Sequence, residues 1–274
     1  MKQKIFFIAF ISAIFLQSCT TIDVTEKDAF DVKKTINSSF FEDHSYTMEK
    51  TSFASGDREL EAWYITHPDN EKTILYMGGN GFLMQISKHI IPNLIKNNVN
   101  LLVFNYRGYG NNSGEPGIAG IKQDGVAAYR FLTKEKGLDP RNIIIHGHSL
   151  GSMVATYVAS KHEASGLVLE SPVTDARDMA DRLVPWFLSI FVKFDIEDAL
   201  KKESNIDRME EVDIPVLFVA GKKDKITPPE MAEVLYEKAS QKKYLKIVEG
   251  GGHNDLPEKK SYRQALADFY SSLD

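Results

Sequence analysis

A chain of 274 residues, 43% hydrophobic and 26% charged with a net charge of −5, has enough apolar material to bury a core of its own. That balance excludes a disordered chain, and the lack of any basic stripe excludes a nucleic-acid binder. The one cysteine, Cys19, excludes a disulfide within the chain, so the fold has to rest on packing.

In chain order, Lys2 and Lys4 form a positive start, and Ile5 to Leu16 is an unbroken apolar run. The run is shorter than the about 20 residues a membrane-spanning helix needs. It leads into Leu16-Gln17-Ser18-Cys19, which reads as a secretory signal peptide ending in a lipobox. Residues 1–18 are therefore expected to be removed and Cys19 lipidated, as in a bacterial lipoprotein. Gln17 is the unusual residue of the four. Thr20 is not the aspartate that holds such proteins at the inner membrane, which leaves the outer membrane open. Residues 19–40 are polar and irregular and read as a tether, with the folded domain over residues 41–274.

From about Ser45 the periodicity changes. "SYTMEKTSF" and "RELEAWYI" alternate as strands around a Gly56–Asp57 turn and read as an antiparallel pair. "TILYM" is a short apolar strand, followed by a helix in "QISKHIIPNLIKN" with Pro92 as a bend or break. Next come the strand "VNLLVFNY", the helix "GIKQDGVAAYRFLTKEKG", the strand "NIIIHG" and a helix from Leu150. "SGLVLES" is another strand. After an insertion over about residues 172–212 come the strand "IPVLFVAG", the helix "PEMAEVLYEKAS", the strand "YLKIVEG" and a C-terminal helix. Strands alternating with helices at these lengths predict a mostly parallel sheet with helices on both faces.

"GHSLG", Gly147 to Gly151, lies at a strand-to-helix corner. Glycine two residues to each side of Ser149 lets the two backbones come close, the pattern of a nucleophile elbow. A serine hydroxyl needs a base and a group to orient that base. In open α/β sheets reactive groups gather at the carboxyl ends of strands. The strands "PVLFVAG" and "YLKIVEG" run into Asp224 and His253, which gives the chain order Ser149, Asp224, His253. An oxyanion needs backbone N–H donors. Leu150, directly after the serine, and Asn80, in the "GGNG" loop after "TILYM", are the expected pair.

The motifs "FNYRGYGNNSGEPG", "DPRNIIIHGHSLGS", "VLFVAGKKDKITPPEMAEVLY" and "VEGGGHND" resemble the serine hydrolases of the α/β-hydrolase superfamily, in particular its small single-domain esterase/peptidase-like branch. The resemblance runs from about Asp57 to the end of the chain. It implies an α/β-hydrolase fold, a Ser-His-Asp triad and no cofactor. Two positions depart from the superfamily's pattern. Gly78-Gly79 stands where His-Gly is usual, and Asn105 stands where an aspartate could pair with an arginine such as Arg107.

Glu170, at the end of "SGLVLES", is the reserve for the acid. His146 and His148 flank Gly147 and are expected to pack or to line the pocket. No cluster has metal-ligand spacing, and no Gly-Lys-Ser/Thr follows the glycine loop. In the insertion, Leu183, Trp186, Phe187, Ile190, Phe191 and Phe194 recur at helical spacing and predict the apolar face of a short cap. The function expected is hydrolysis of a carboxylic ester by a lipid-anchored serine hydrolase of the cell envelope, with a small acyl compound as substrate. A peptidase or amidase, and a non-catalytic scaffold that binds a ligand or partner, are the alternatives.

Overall fold

The computed structural model describes residues 20–34, 45–181 and 192–273. An eight-stranded sheet runs β10-β9-β7-β6-β4-β5-β3-β2. The strands are β2 (Thr47–Ser55), β3 (Arg58–Thr66), β4 (Thr73–Met77), β5 (Asn100–Phe104), β6 (Ile143–His148), β7 (Gly166–Glu170), β9 (Val216–Gly221) and β10 (Lys243–Val248). The β2–β3 and β3–β5 pairs are antiparallel and all other pairs in the sheet are parallel. This is the α/β-hydrolase architecture, and the expected hairpin turns at Gly56, which has φ 65°.

The apolar runs have a simple cause. In a strand, successive side chains face opposite sides of the sheet. Ile143 and Ile145 of β6 join one core cluster and Ile144 joins the other, and β4 divides Leu75 and Met77 from Ile74 and Tyr76 in the same way. With helices over both faces, neither set meets water, so the central strands are continuous rather than alternating.

Local details differ from the periodicity. The helix expected over "QISKHIIPNLIKN" shrinks to a 3-10 turn at Met84–Ile86 and a short helix at Ile91–Ile95. Pro92 does not bend a longer helix. It sits in the first turn, where its missing N–H has no partner to lose. The helix Ile118–Arg130 ends in a π-turn at Phe131–Glu135. In the insertion, Phe194 was expected on a helical face, but it lies in strand β8 (Val192–Ile196). The reason is a partner distant in sequence: β8 pairs in parallel with β1 (Thr20–Val24), from Thr20 opposite Val192 to Val24 opposite Ile196. The other cap residues, Leu183, Trp186, Phe187, Ile190 and Phe191, lie outside the described residues, as do the signal segment and Cys19.

The stretch expected as a tether is therefore engaged with the domain in its described part. Besides β1 it holds a 3-10 turn, Glu26–Ala29, capped by Thr25. Among the described residues, no helix is long and apolar enough to cross a membrane.

Candidate active site

β6 delivers Ser149 into a turn that few residues tolerate. Ser149 has φ 52° and ψ −121°, outside the ordinary regions for a side chain. The helix Leu150–Ala159 begins at the next residue. The corner needs glycine at both flanks. A Cβ on Gly151 would stand 2.1 Å from the Met77 carbonyl oxygen, and one on Gly147 would stand 2.4 Å from that of Gly151. The Ser149 N–H donates to the Glu170 carbonyl at 2.9 Å, which pins the turn to the end of β7.

The three residues picked from chain order meet here. Ser149 Oγ lies 3.0 Å from His253 Nε2. His253 Nδ1 lies 2.8 Å from Asp224 Oδ2. Asp224 and Ser149 are buried, and the His253 side chain is close to buried. The other oxygen of Asp224 accepts from the Ile226 and Thr227 N–H groups at 2.9 and 3.0 Å. Burial pushes the Asp224 carboxyl up, but the His253 hydrogen bond, the His253 charge and these two amides outweigh it. The net result is a pKa below the usual carboxylate value. A geometry of this kind can take a proton from a serine hydroxyl as the oxygen attacks.

Two contributors escaped the sequence. Thr227 Oγ1 is 3.0 Å from Asp224 Oδ2, from His253 Nδ1 and from the Ser171 carbonyl, so it bridges Asp224, His253 and the end of β7. The signal was its place three residues after Asp224, where an Asx-type turn brings a threonine back to the carboxylate. His148 holds the backbone of His253. Its Nε2 is 3.0 Å from the His253 backbone carbonyl, an acceptor, so Nε2 carries the proton. Burial pushes the His148 imidazole down, which keeps it neutral.

The reserve acid is engaged elsewhere. Glu170 Oε2 is 3.0 Å from His146 Nε2 and accepts from Tyr262 Oη at 2.6 Å. Both histidines beside the elbow thus pack, and each serves a buried polar network. Asn105 also has a defined role. Its Oδ1 accepts from the Met84 N–H at 3.0 Å and its Nδ2 donates to Gln85 Oε1 at 3.0 Å, which ties down the segment after the glycine loop. Arg107, without a carboxylate at 105, takes Asp124 instead, with Nη2 at 2.7 Å from Oδ1.

Asn80 and Leu150, the expected oxyanion donors, both line the pocket that Ser149 opens onto. Leu150 is the first residue of its helix, where N–H groups and the positive end of the dipole face outward. The glycine loop runs close by: a Cβ on Gly79 would lie 3.1 Å from the Ser149 Cβ. The pocket has a volume of ≈ 530 Å³. Its lining is largely apolar and includes Ile118, Met153, Val173, Ala176, Met179 and Leu200. Among the described residues, no three His, Cys, Asp or Glu side chains gather as a metal site.

A model of the prolyl oligopeptidase family matches residues 94–272, and one of the Chlamydia CHLPS protein family matches residues 3–169. An uncharacterised protein of Mycobacterium tuberculosis is 32% identical over 198 residues, 72% of this chain and 68% of that one. Protein bem46 of Schizosaccharomyces pombe is 31% identical over 214 residues, 76% of this chain and 70% of that one. In three dimensions the chain is similar to an esterase of Pyrococcus furiosus, with a TM-score of 0.70 over 89% of this chain and 97% of that one. Their identity is 17%, so the likeness is one of fold.

Proposed function

Since the chain belongs to the prolyl oligopeptidase family and is a serine hydrolase of α/β-hydrolase fold, we propose that it cleaves a carboxylic ester, with Ser149 as nucleophile, His253 as base and Asp224 as the acid that orients His253. Ser149 Oγ attacks the ester carbonyl as His253 Nε2 takes its proton. The carbonyl oxygen gains the charge, and the N–H groups of Asn80 and Leu150 hold it. Collapse breaks the bond to the alcohol, which leaves with the proton from His253. Water then attacks the acyl-serine with His253 again as base, releasing the acid.

The observation that carries the ester reading is the pocket. Ser149 opens onto an apolar cavity of ≈ 530 Å³, a size and lining suited to an aliphatic acyl group. The family match supports a second reading, a peptidase. Matched p-nitrophenyl octanoate and octanoyl p-nitroanilide separate the two. The ester reading expects p-nitrophenyl octanoate to turn over with no measurable release from the anilide, and enzyme-dependent cleavage of the anilide that is lost in Ser149→Ala would make the enzyme an amidase.

The lipid anchor is part of the same proposal. Its support is Lys2, Lys4, the apolar run and the position of Cys19. The added acyl chains would anchor stably, since each buried CH₂ contributes about 0.8 kcal/mol. In the bacterial host, labelled palmitate should mark the wild type and leave Cys19→Ser unmarked. Equal labelling of both forms would remove the anchor, and the envelope location with it.

A further inference from the structure

The segment that follows Cys19 is bound to four separate parts of the site. β1 pairs with β8 of the cap. The Glu26 N–H donates to Glu197 Oε2 at 2.8 Å, also in the cap. Glu26 Oε1 accepts from the Ile118 N–H at 2.9 Å, at the start of the helix Ile118–Arg130. The Asp31 N–H donates to Asn80 Oδ1 at 2.5 Å, and Tyr109 Oη donates to the same oxygen at 3.1 Å. Beyond that, the Lys33 carbonyl accepts from the Gly110 N–H at 2.8 Å and Lys34 Nζ donates to the Gly108 carbonyl at 3.1 Å. These attachments hold the segment against the cap, a helix start, the glycine loop and the loop after β5.

Its side chains line the pocket. Ile22, Val24 and Ala29 line the same cavity as Met153 and Val173, and Ile22 is 41% exposed although apolar. Ile226, beside Asp224, is 52% exposed and also lines the cavity. The charged residues of the described lining are Asp23 and Asp28, both from this same segment, with no lysine or arginine among them. Bonds from Thr25 hold the Asp28 carboxyl below its usual value, so it is ionised at neutral pH. An acyl chain ending in a carboxylate would meet like charge along this described lining.

We propose that Thr20–Lys34 is the outer wall of the acyl pocket, and that it restricts the acyl group to an uncharged aliphatic chain. The proposal rests on Ser149 being the nucleophile of an esterase. It makes the N-terminal segment a determinant of specificity in addition to a link to any anchor.

The test uses the full chain and three p-nitrophenyl esters: acetate, octanoate, and a chain of octanoate length ending in a carboxylate. The wild type should prefer octanoate to the carboxylate-ended ester by at least tenfold in kcat/KM. Ala29→Trp fills the pocket from the wall. Excluding two or more methylenes, each worth about fourfold, should lower the octanoate-to-acetate ratio at least tenfold. Ile22→Asp adds charge at an exposed position that tolerates it, and should lower the same ratio in the same direction. Fluorophosphonate labelling reports whether Ser149 is still activated. If the wild type takes no label, the esterase reading falls and the wall falls with it. If all forms label fully and both variants keep the wild-type ratio, the wall is overturned while the hydrolase stands.

Discussion

Replacing Ser149 by alanine should lower ester turnover by on the order of 10⁴-fold or more, because the members of such a triad act as a unit. The Ser149 hydroxyl is bonded to His253 Nε2, and the bond that holds the turn is made by its backbone N–H to Glu170. Alanine keeps the Cβ, the N–H and the unusual φ of 52° at no more steric cost than serine. The fold should therefore survive, with a melting temperature within about 3 °C of wild type, the shift of about 1 kcal/mol in a chain of this size. Fluorophosphonate labelling should vanish. A p-nitrophenyl ester assay in which the variant keeps near wild-type rates would remove Ser149 from the chemistry.

What the sequence made legible here is what local pattern controls. Three isoleucines before a Gly-x-Ser-x-Gly corner imply a strand buried on both faces, and Ile143, Ile144 and Ile145 do divide between the two cores. Asp224 and His253 stood out because each follows a strand end. The structure brings His253 to Ser149 across 104 residues of chain, and Asp224 to His253 across 29. What stayed hidden depends on partners far apart with no shared pattern. Tyr262 reaches Glu170 over 92 residues, and nothing in either segment announces the other. Phe194 fits a helical spacing, but pairing with residues 20–24 makes it part of a strand, since ladder hydrogen bonds outweigh a weak local preference. The Thr20–Lys34 stretch is polar and short of apolar residues, so composition reads it as a tether. Its attachments are backbone hydrogen bonds and a few polar side-chain contacts, which leave no mark on hydropathy.

Asp224→Asn should cost about 10⁴ in kcat, if a protease triad is the guide, while Glu170→Gln should cost less than about tenfold. The argument starts from the two oxygens of Asp224. Oδ2 accepts from His253 Nδ1, and Oδ1 accepts from two backbone N–H groups, those of Ile226 and Thr227. An asparagine has one acceptor and one donor for these two places. If its oxygen faces the amides, its NH₂ faces His253 Nδ1, which must then give up its proton. The imidazole is left with its hydrogen on Nε2 and can no longer accept from Ser149. If the oxygen turns to His253, the NH₂ points at two N–H donors and leaves them unpaired in a buried place, at about 1–3 kcal/mol for each. The first arrangement is therefore the stable one, and it is the inactive one. Glu170 is placed differently. Its carboxylate is bonded to His146 and Tyr262, and the Ser149 turn uses its backbone carbonyl, which glutamine retains. The loss there should appear in the melting temperature, through a weakened bond to a buried histidine, with the Asp224–His253 pair left as it is. Measuring kcat and melting temperature for both variants checks the ranking. If Glu170→Gln abolishes turnover while Asp224→Asn spares it, Glu170 is the working acid, and the loop after β9 only packs against His253.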